Sequence, residues 1–161
     1  MKPHEKENNA PRSPREHFRQ LMTGFCSLVG LDGNIDAIFS TGSVMCNDVA
    51  FTLLPIGDQE DTISVYVDFG EVPPDRALLV YRRLLEINLL VPFGHGPRLG
   101  VDCDSGKVVF AFQYNGVTPE RLLACLELAA QQAQQWRSTF FLDQEGGNDA
   151  WNSLSSGILR A

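Results

Sequence analysis

The chain has 161 residues, 43% of them hydrophobic, which is the length of one domain with enough apolar surface for its own core. Thirteen Lys and Arg against twenty Asp and Glu leave a formal charge of −7, whose field repels phosphate backbones and anionic lipid, so no nucleic-acid partner is expected. The longest apolar runs, such as Ala77–Tyr81, fall far short of the roughly 20 residues of a bilayer span, and MKPHEKENNAPRSPREH has no apolar signal region. The expected location is the cytoplasm, without membrane insertion.

Residues 1–12 are polar and punctuated by proline, a composition that cannot offset the entropy of ordering, so a mobile leader is expected there. A single α+β domain is then expected over 13–142. Ser13-Pro14-Arg15-Glu16 opens a helix: a hydroxyl cap, a proline where no amide hydrogen is missed, and a glutamate able to reach back to the cap. Phe18, Leu21, Met22, Phe25, Leu28 and Val29 follow at three- and four-residue steps, and Gly30 offers a left-handed stop.

After the turn-rich LDGN the pattern alternates, with Val49, Phe51 and Leu53 on one face of a strand that pairs with Val44–Cys46. Thr62–Phe69 is the clearest strand, since Ile63, Val65, Val67 and Phe69 alternate with Thr62, Ser64, Tyr66 and Asp68. Pro73-Pro74-Asp75 opens a second helix that ends at Val91-Pro92. Ala77, Val80, Leu84, Ile87 and Val91 form one stripe of it and Leu78, Tyr81, Leu85 and Leu89 another, leaving Arg82, Arg83 and Glu86 as the wet strip. One stripe suffices to cover a sheet, so the second implies burial on another side, most simply against a second copy of the chain.

Leu99–Cys103 and Lys107–Tyr114 read as a strand pair joined through Asp104-Ser105-Gly106. Thr118-Pro119-Glu120-Arg121 opens a third helix with Leu122, Leu126, Ala129, Ala133, Trp136 and Phe140 on its apolar stripe and glutamines opposite. Residues 143–161 read as a loose tail, although Trp151, Leu154, Ile158 and Leu159 supply a short apolar face able to dock.

The chemistry-bearing residues are few. Cys26, Cys46, Cys103 and Cys125 stand singly, beside large apolar neighbours, with no histidine at metal-ligand spacing, so they read as small core hydrophobes and neither a metal nor a cofactor is expected. Asp102-Cys103-Asp104-Ser105-Gly106 opens like a calcium loop but has Gly106 fifth and Gln113 twelfth, where that loop requires its glycine sixth and a glutamate twelfth. Gly94–Gly100 lacks the spacing of a phosphate or dinucleotide loop. A nucleophile needs a positioned base, and among His4, His17 and His95 only His95 with Cys103 makes a pairing to name, so no enzyme is expected.

The order helix, three strands, helix, two strands, helix resembles the type III secretion chaperones of the CesT (Tir chaperone) family. The parts that carry the resemblance are FRQLMTGFCSLVGL, VAFTLLP, TISVYVDFG, PPDRALLVYRRLLEINLLV, RLGVDCDSGKVVFAFQY and TPERLLACLELAAQQAQQW, over about Ser13 to Leu142. The resemblance implies an α-β-β-β-α-β-β-α fold with a twisted, mainly antiparallel sheet flanked by helices, in a bacterial cytoplasmic homodimer. It also implies a function: binding the N-terminal segment of a secreted effector in extended form and keeping it soluble for export. Matching elements make Phe18, Leu21, Met22, Phe25, Met45, Val49, Phe51 and Leu53 the candidate effector groove, with Met22 and Met45 the residues best suited to exposure, because flexible thioethers serve adaptable surfaces. Val80, Leu84, Ile87 and Val91 are the candidate dimer interface. Two other readings stay open: a dimeric adaptor of similar fold that binds a folded cytosolic partner, and a small hydrolase using Cys103 and His95.

Overall fold

The computed structural model describes residues 13–57, 61–91, 96–143 and 146–158. The first helix, α1 (Pro14–Val29), starts as its sequence directs: the Glu16 amide donates to Ser13 Oγ and the Ser13 amide donates to Glu16 Oε2, and Gly30 ends the helix with φ 75°. A 3-10 turn (Asp32–Asn34) then leads into a short helix, α2 (Ile35–Thr41), where the sequence pattern suggested only a turn. Ile35, Ile38 and Phe39 are spaced to face α1, but seven residues are too few to stand out as a periodic run. Gly42 closes α2 at φ 69°, and a Cβ there would collide with the Leu53 carbonyl oxygen, so only glycine allows the chain to turn directly into the sheet.

The sheet has five antiparallel strands: β1 (Ser43–Cys46), β2 (Val49–Pro55), β3 (Thr62–Gly70), β4 (Arg98–Val101) and β5 (Val108–Asn115), in the order β1-β2-β3-β5-β4. β1 and β2 are joined by Asn47 and Asp48 alone, both at positive φ (48° and 60°), the twist a two-residue hairpin demands. The β4–β5 connection closes through Asp102–Gly106, with the Asp102 amide donating to the Lys107 carbonyl. The hairpin and the strand alternation over 62–69 and 108–114 agree with the sequence reading.

Three more helices complete the chain: α3 (Ala77–Leu90), α4 (Pro119–Thr139) and α5 (Gly147–Ile158). Helix α4 lies on the inner face of β1, β2 and β3, and α1 packs beside it. Between them and the sheet sits the core, where the Phe69 and Trp136 rings are 5.7 Å apart and Trp136 meets Phe140 edge-on at 5.0 Å. All six apolar residues expected on the α4 stripe are buried. Near its end, α4 reaches over to the β1–β2 turn: Gln134 Nε2 donates to the Asn47 carbonyl, and Arg137 donates to the carbonyls of Asp48, Asp68 and Phe69.

Two expectations change here. Residues 147–158, read as part of a loose tail, form α5, with Ala150 and Leu154 fully buried and Trp151 packed against the core. It packs against α4 and against α3, which lies more than fifty residues earlier and which no local pattern reveals as its partner. Second, α3 does not lie across a sheet face. It runs beside the edge strand β4 and against α5, and the sheet face opposite α1 and α4 carries no helix among the described residues.

Candidate protein-interaction surfaces

The alternation of each strand decides which side chains reach the open face. Thr52, Leu54, Ser64, Tyr66, Val109, Ala111 and Gln113 point there, while their neighbours Phe51, Leu53, Val65, Val67, Phe110 and Phe112 are buried beneath the helices.

This alternation also sorts the candidate effector residues. Phe18, Leu21, Met22, Phe25, Val49, Phe51 and Leu53 are each at most 5% exposed, and are part of the protomer's own core. An amphipathic helix and a one-sided sheet meet along their apolar faces, so a stripe read from sequence is first the stripe that the domain itself covers. Met22 is fully buried, whereas Met45, on the edge strand, is 65% exposed. Leu28, on the same α1 stripe by spacing, is exposed as well.

Of the buried set, Phe18 reaches the rim of a surface cleft. The cleft, about 600 Å³, is lined by Ser13, Pro14, Arg15, Phe18, Phe39, Pro55 and Gly57. The Phe18 and Phe39 rings lie 6.0 Å apart, tilted by 35°, and the Arg19 guanidinium covers the Phe39 ring at 4.7 Å while bonding Asp36 at 3.0 Å. Phe39, Arg15 and Pro55 were not singled out from sequence. The Ile35-Ile38-Phe39 spacing is the one signal that marks α2 as an element facing this region.

The two sheet edges differ. In a two-residue hairpin Cys46 and Val49 are a hydrogen-bonded pair, so the alternation turns the backbone N–H and C=O of Ser43 and Met45 outward from β1. The Ser43 amide is taken by Thr41 Oγ1 at 3.1 Å; the Met45 groups have no partner among the described residues. At β4 the outward groups of Leu99 are both taken by one side chain: Asn88 Nδ2 donates to the Leu99 carbonyl at 2.7 Å, and the Leu99 amide donates to Asn88 Oδ1 at 2.9 Å. A helix thus covers the β4 edge, one of the ways proteins protect a sheet from stray pairing, and β1 is left open.

Helix α3 carries the largest apolar exposure, on the stripe opposite to the one expected. Val80, Leu84, Ile87 and Val91 are buried at 0–6% exposure and hold α3 to its own domain. Leu78 (83%), Leu85 (70%) and Leu89 (83%) stand in solvent, within about 40° of one another around the helix by its 100° per residue. Arg83, expected on the wet strip, is largely covered and bonds Glu86 at 3.3 Å; Arg82 is exposed and bonds the same carboxylate at 3.1 Å.

Among the described residues no reactive constellation accompanies these surfaces. Cys26 and Cys125 are buried as expected, Cys46 is half-buried, and Cys103 is exposed in the β4–β5 turn, because the hairpin needs a polar, solvated apex there. Burial pushes the Cys125 thiol up to about 12 and raises Cys26 and Cys46 as well, so these three stay protonated. His95, the proposed partner of Cys103, lies outside the described residues, as does His4. Asp102 and Asp104 approach Cys103 closely, yet the Asp102 carboxylate is already engaged by the amides of Asp104 and Ser105 and by the Ser105 hydroxyl, which accounts for the cluster as a turn. No described helix is long and apolar enough to cross a membrane.

A five-stranded antiparallel sheet with helices on one face among the described residues, one open edge and an exposed leucine stripe is the α+β arrangement that the resemblance to secretion chaperones implies. Residues 30–137 match the family model described as the Tir chaperone protein (CesT) family, and the chain belongs to that family. It is a type III secretion chaperone. Its fold is similar to a chain of the ExsC–ExsE complex, with a TM-score of 0.55 at 19% identity, covering 80% of this chain and 97% of that one. It is also similar to a chain of the HopA1–SchA chaperone–effector complex, with a TM-score of 0.50 at 16% identity, covering 77% and 95%. No curated protein matches the sequence.

Proposed function

We propose that this chaperone works in the bacterial cytoplasm as a homodimer that holds the N-terminal segment of a secreted effector in extended form, without catalysis. The open β1 edge is the observation that carries the reading of an extended client. Met45 offers an unpaired N–H and C=O to a passing backbone, its exposed thioether offers a soft apolar contact, and the Phe18–Phe39 cleft lies across α1 and α2, close to the β1 end of the sheet. Edge addition supplies hydrogen bonds that any sequence can make, and side-chain pockets supply selectivity. The similarity in fold to the HopA1–SchA chaperone–effector complex and the ExsC–ExsE complex supports the same kind of partner.

The homodimer reading moves from the buried stripe to the exposed one: Leu78, Leu85 and Leu89 form the seam with a second copy. A two-fold pairing suits this helix, because the Arg82–Glu86 ion pair runs along one flank of the leucines, and an antiparallel copy sets each of these charges near the other's complement. Family membership supports the same stoichiometry.

The test is to purify the full chain from its native cell with its bound client and map the client's protease-protected region. Repeating the capture with Met45→Pro removes the outward amide from β1 at an edge position where proline is tolerated. A protected stretch near the client N-terminus, lost at least tenfold with Met45→Pro, is the expected result. A client protected as a folded domain and indifferent to Met45→Pro would favour the adaptor reading instead.

A further inference from the structure

Resting on the reading of α3 as the seam with a second copy, we propose that Asn88 and Gly147 are positioning residues, which clamp α3 from two sides and so aim its leucines at the partner. Because α3 stands beside the sheet and not on its face, its attachments are chiefly to β4 and α5.

On the first side, Asn88 is a hydrogen-bonded rivet. Both backbone groups of Leu99 end on its amide, at 2.7 and 2.9 Å, as if α3 contributed one residue of a sixth strand. This pairing sets the height of α3 along β4, since a shift of one residue in either direction would bring a different side chain to Leu99. On the second side, Gly147 is a close-approach residue. A Cβ at 147 would meet the Glu86 backbone carbon at 3.2 Å and its oxygen at 3.3 Å, tighter than ordinary contact. Three and seven residues along α5, Ala150 and Leu154 are fully buried, so the approach at Gly147 continues into a packed helix pair. Positions 86 and 88 differ by about 160° around α3, so the two holds oppose each other and leave the Leu78–Leu85–Leu89 arc free between them. A rigid seam loses less freedom on pairing than a mobile one. Helix α5 lies beyond residues 30–137, the part that matches the family model.

The experiment uses the full chain and four variants: Asn88→Ala, Asn88→Asp, Gly147→Val and Leu85→Asp. Sedimentation equilibrium gives the dimer Kd, circular dichroism gives the folded state, and hydrogen exchange follows the Leu99 amide and residues 77–90. Asn88→Ala and Gly147→Val should each raise the dimer Kd at least tenfold with the far-ultraviolet spectrum unchanged and with faster exchange along α3. Asn88→Asp, which keeps the acceptor for the Leu99 amide and loses the donor, should fall between wild type and Asn88→Ala; Gly147→Ala serves in the same way should Gly147→Val not fold. If both positions leave the Kd at the wild-type value while Leu85→Asp dissociates the dimer, the clamp is refuted and the seam stands. If the chain is monomeric throughout, or Leu85→Asp pairs normally, the seam itself is refuted and the clamp falls with it.

Discussion

Leu85→Asp is the perturbation that separates the exposed stripe of α3 from the buried one. Leu85 is 70% exposed in the protomer, so an aspartate there keeps its hydration and the folded protomer should change by no more than about 0.5 kcal/mol. In the dimer both copies are altered. Removing a leucine side chain from water contributes about 1.5–3 kcal/mol, so the loss over the two-fold seam is about 3–6 kcal/mol. That corresponds to roughly a hundredfold to ten-thousandfold rise in Kd, before the repulsion of two carboxylates in a desolvated contact is added. Sedimentation velocity over a concentration series should show a folded monomer where the wild type is a dimer, and the melting temperature of monomeric protein should stay put. Leu84→Asp, one residue away, is the contrast: at 4% exposure it buries an unpaired charge in the protomer and should cost the fold itself. Leu85→Asp sedimenting as the wild-type dimer would refute the assignment of this stripe.

Phe51→Ala should cost about 3–5 kcal/mol in denaturant unfolding, because Phe51 is core at 1% exposure, and any loss of client affinity should track loss of fold. The hydrogen bond from the Ser105 hydroxyl, with the Asp104 amide next, holds the Asp102 carboxyl below the ordinary carboxylate range. A depressed folded value means that this carboxylate supports the β4–β5 turn fully above the ordinary range and loses that support as pH falls through the lowered value, which a carbon-13 NMR titration of the Asp102 carboxyl would follow. Native alkylation at pH 8 should modify exposed Cys103 first and leave Cys125, raised to about 12 and buried, untouched until unfolding; mass spectrometry of partly labelled protein reads the order.

Much of the fold was legible because its signals are local. The capping box at Ser13, the alternation through Val65 and Val67, the Asp102–Gly106 turn and the α4 stripe each depend on residues within a few positions of one another. Helix α2 escaped because seven residues carry too few repeats, and α5 because its apolar face has meaning only against α3 and α4.

The exposed apolar surface of α3 was legible in amount but not in place. Two apolar stripes on one helix showed that α3 carries more hydrophobic surface than one side can hide, and that count needed no coordinates. Which stripe is covered at home is a different matter: it depends on whether α3 rests on the sheet or beside it, and Asn88, Leu99 and Gly147 settle that through contacts between distant parts of the chain. Periodicity reports the faces a helix has; only the packing of the whole domain leaves Val80, Leu84 and Ile87 inside and Leu78, Leu85 and Leu89 in water.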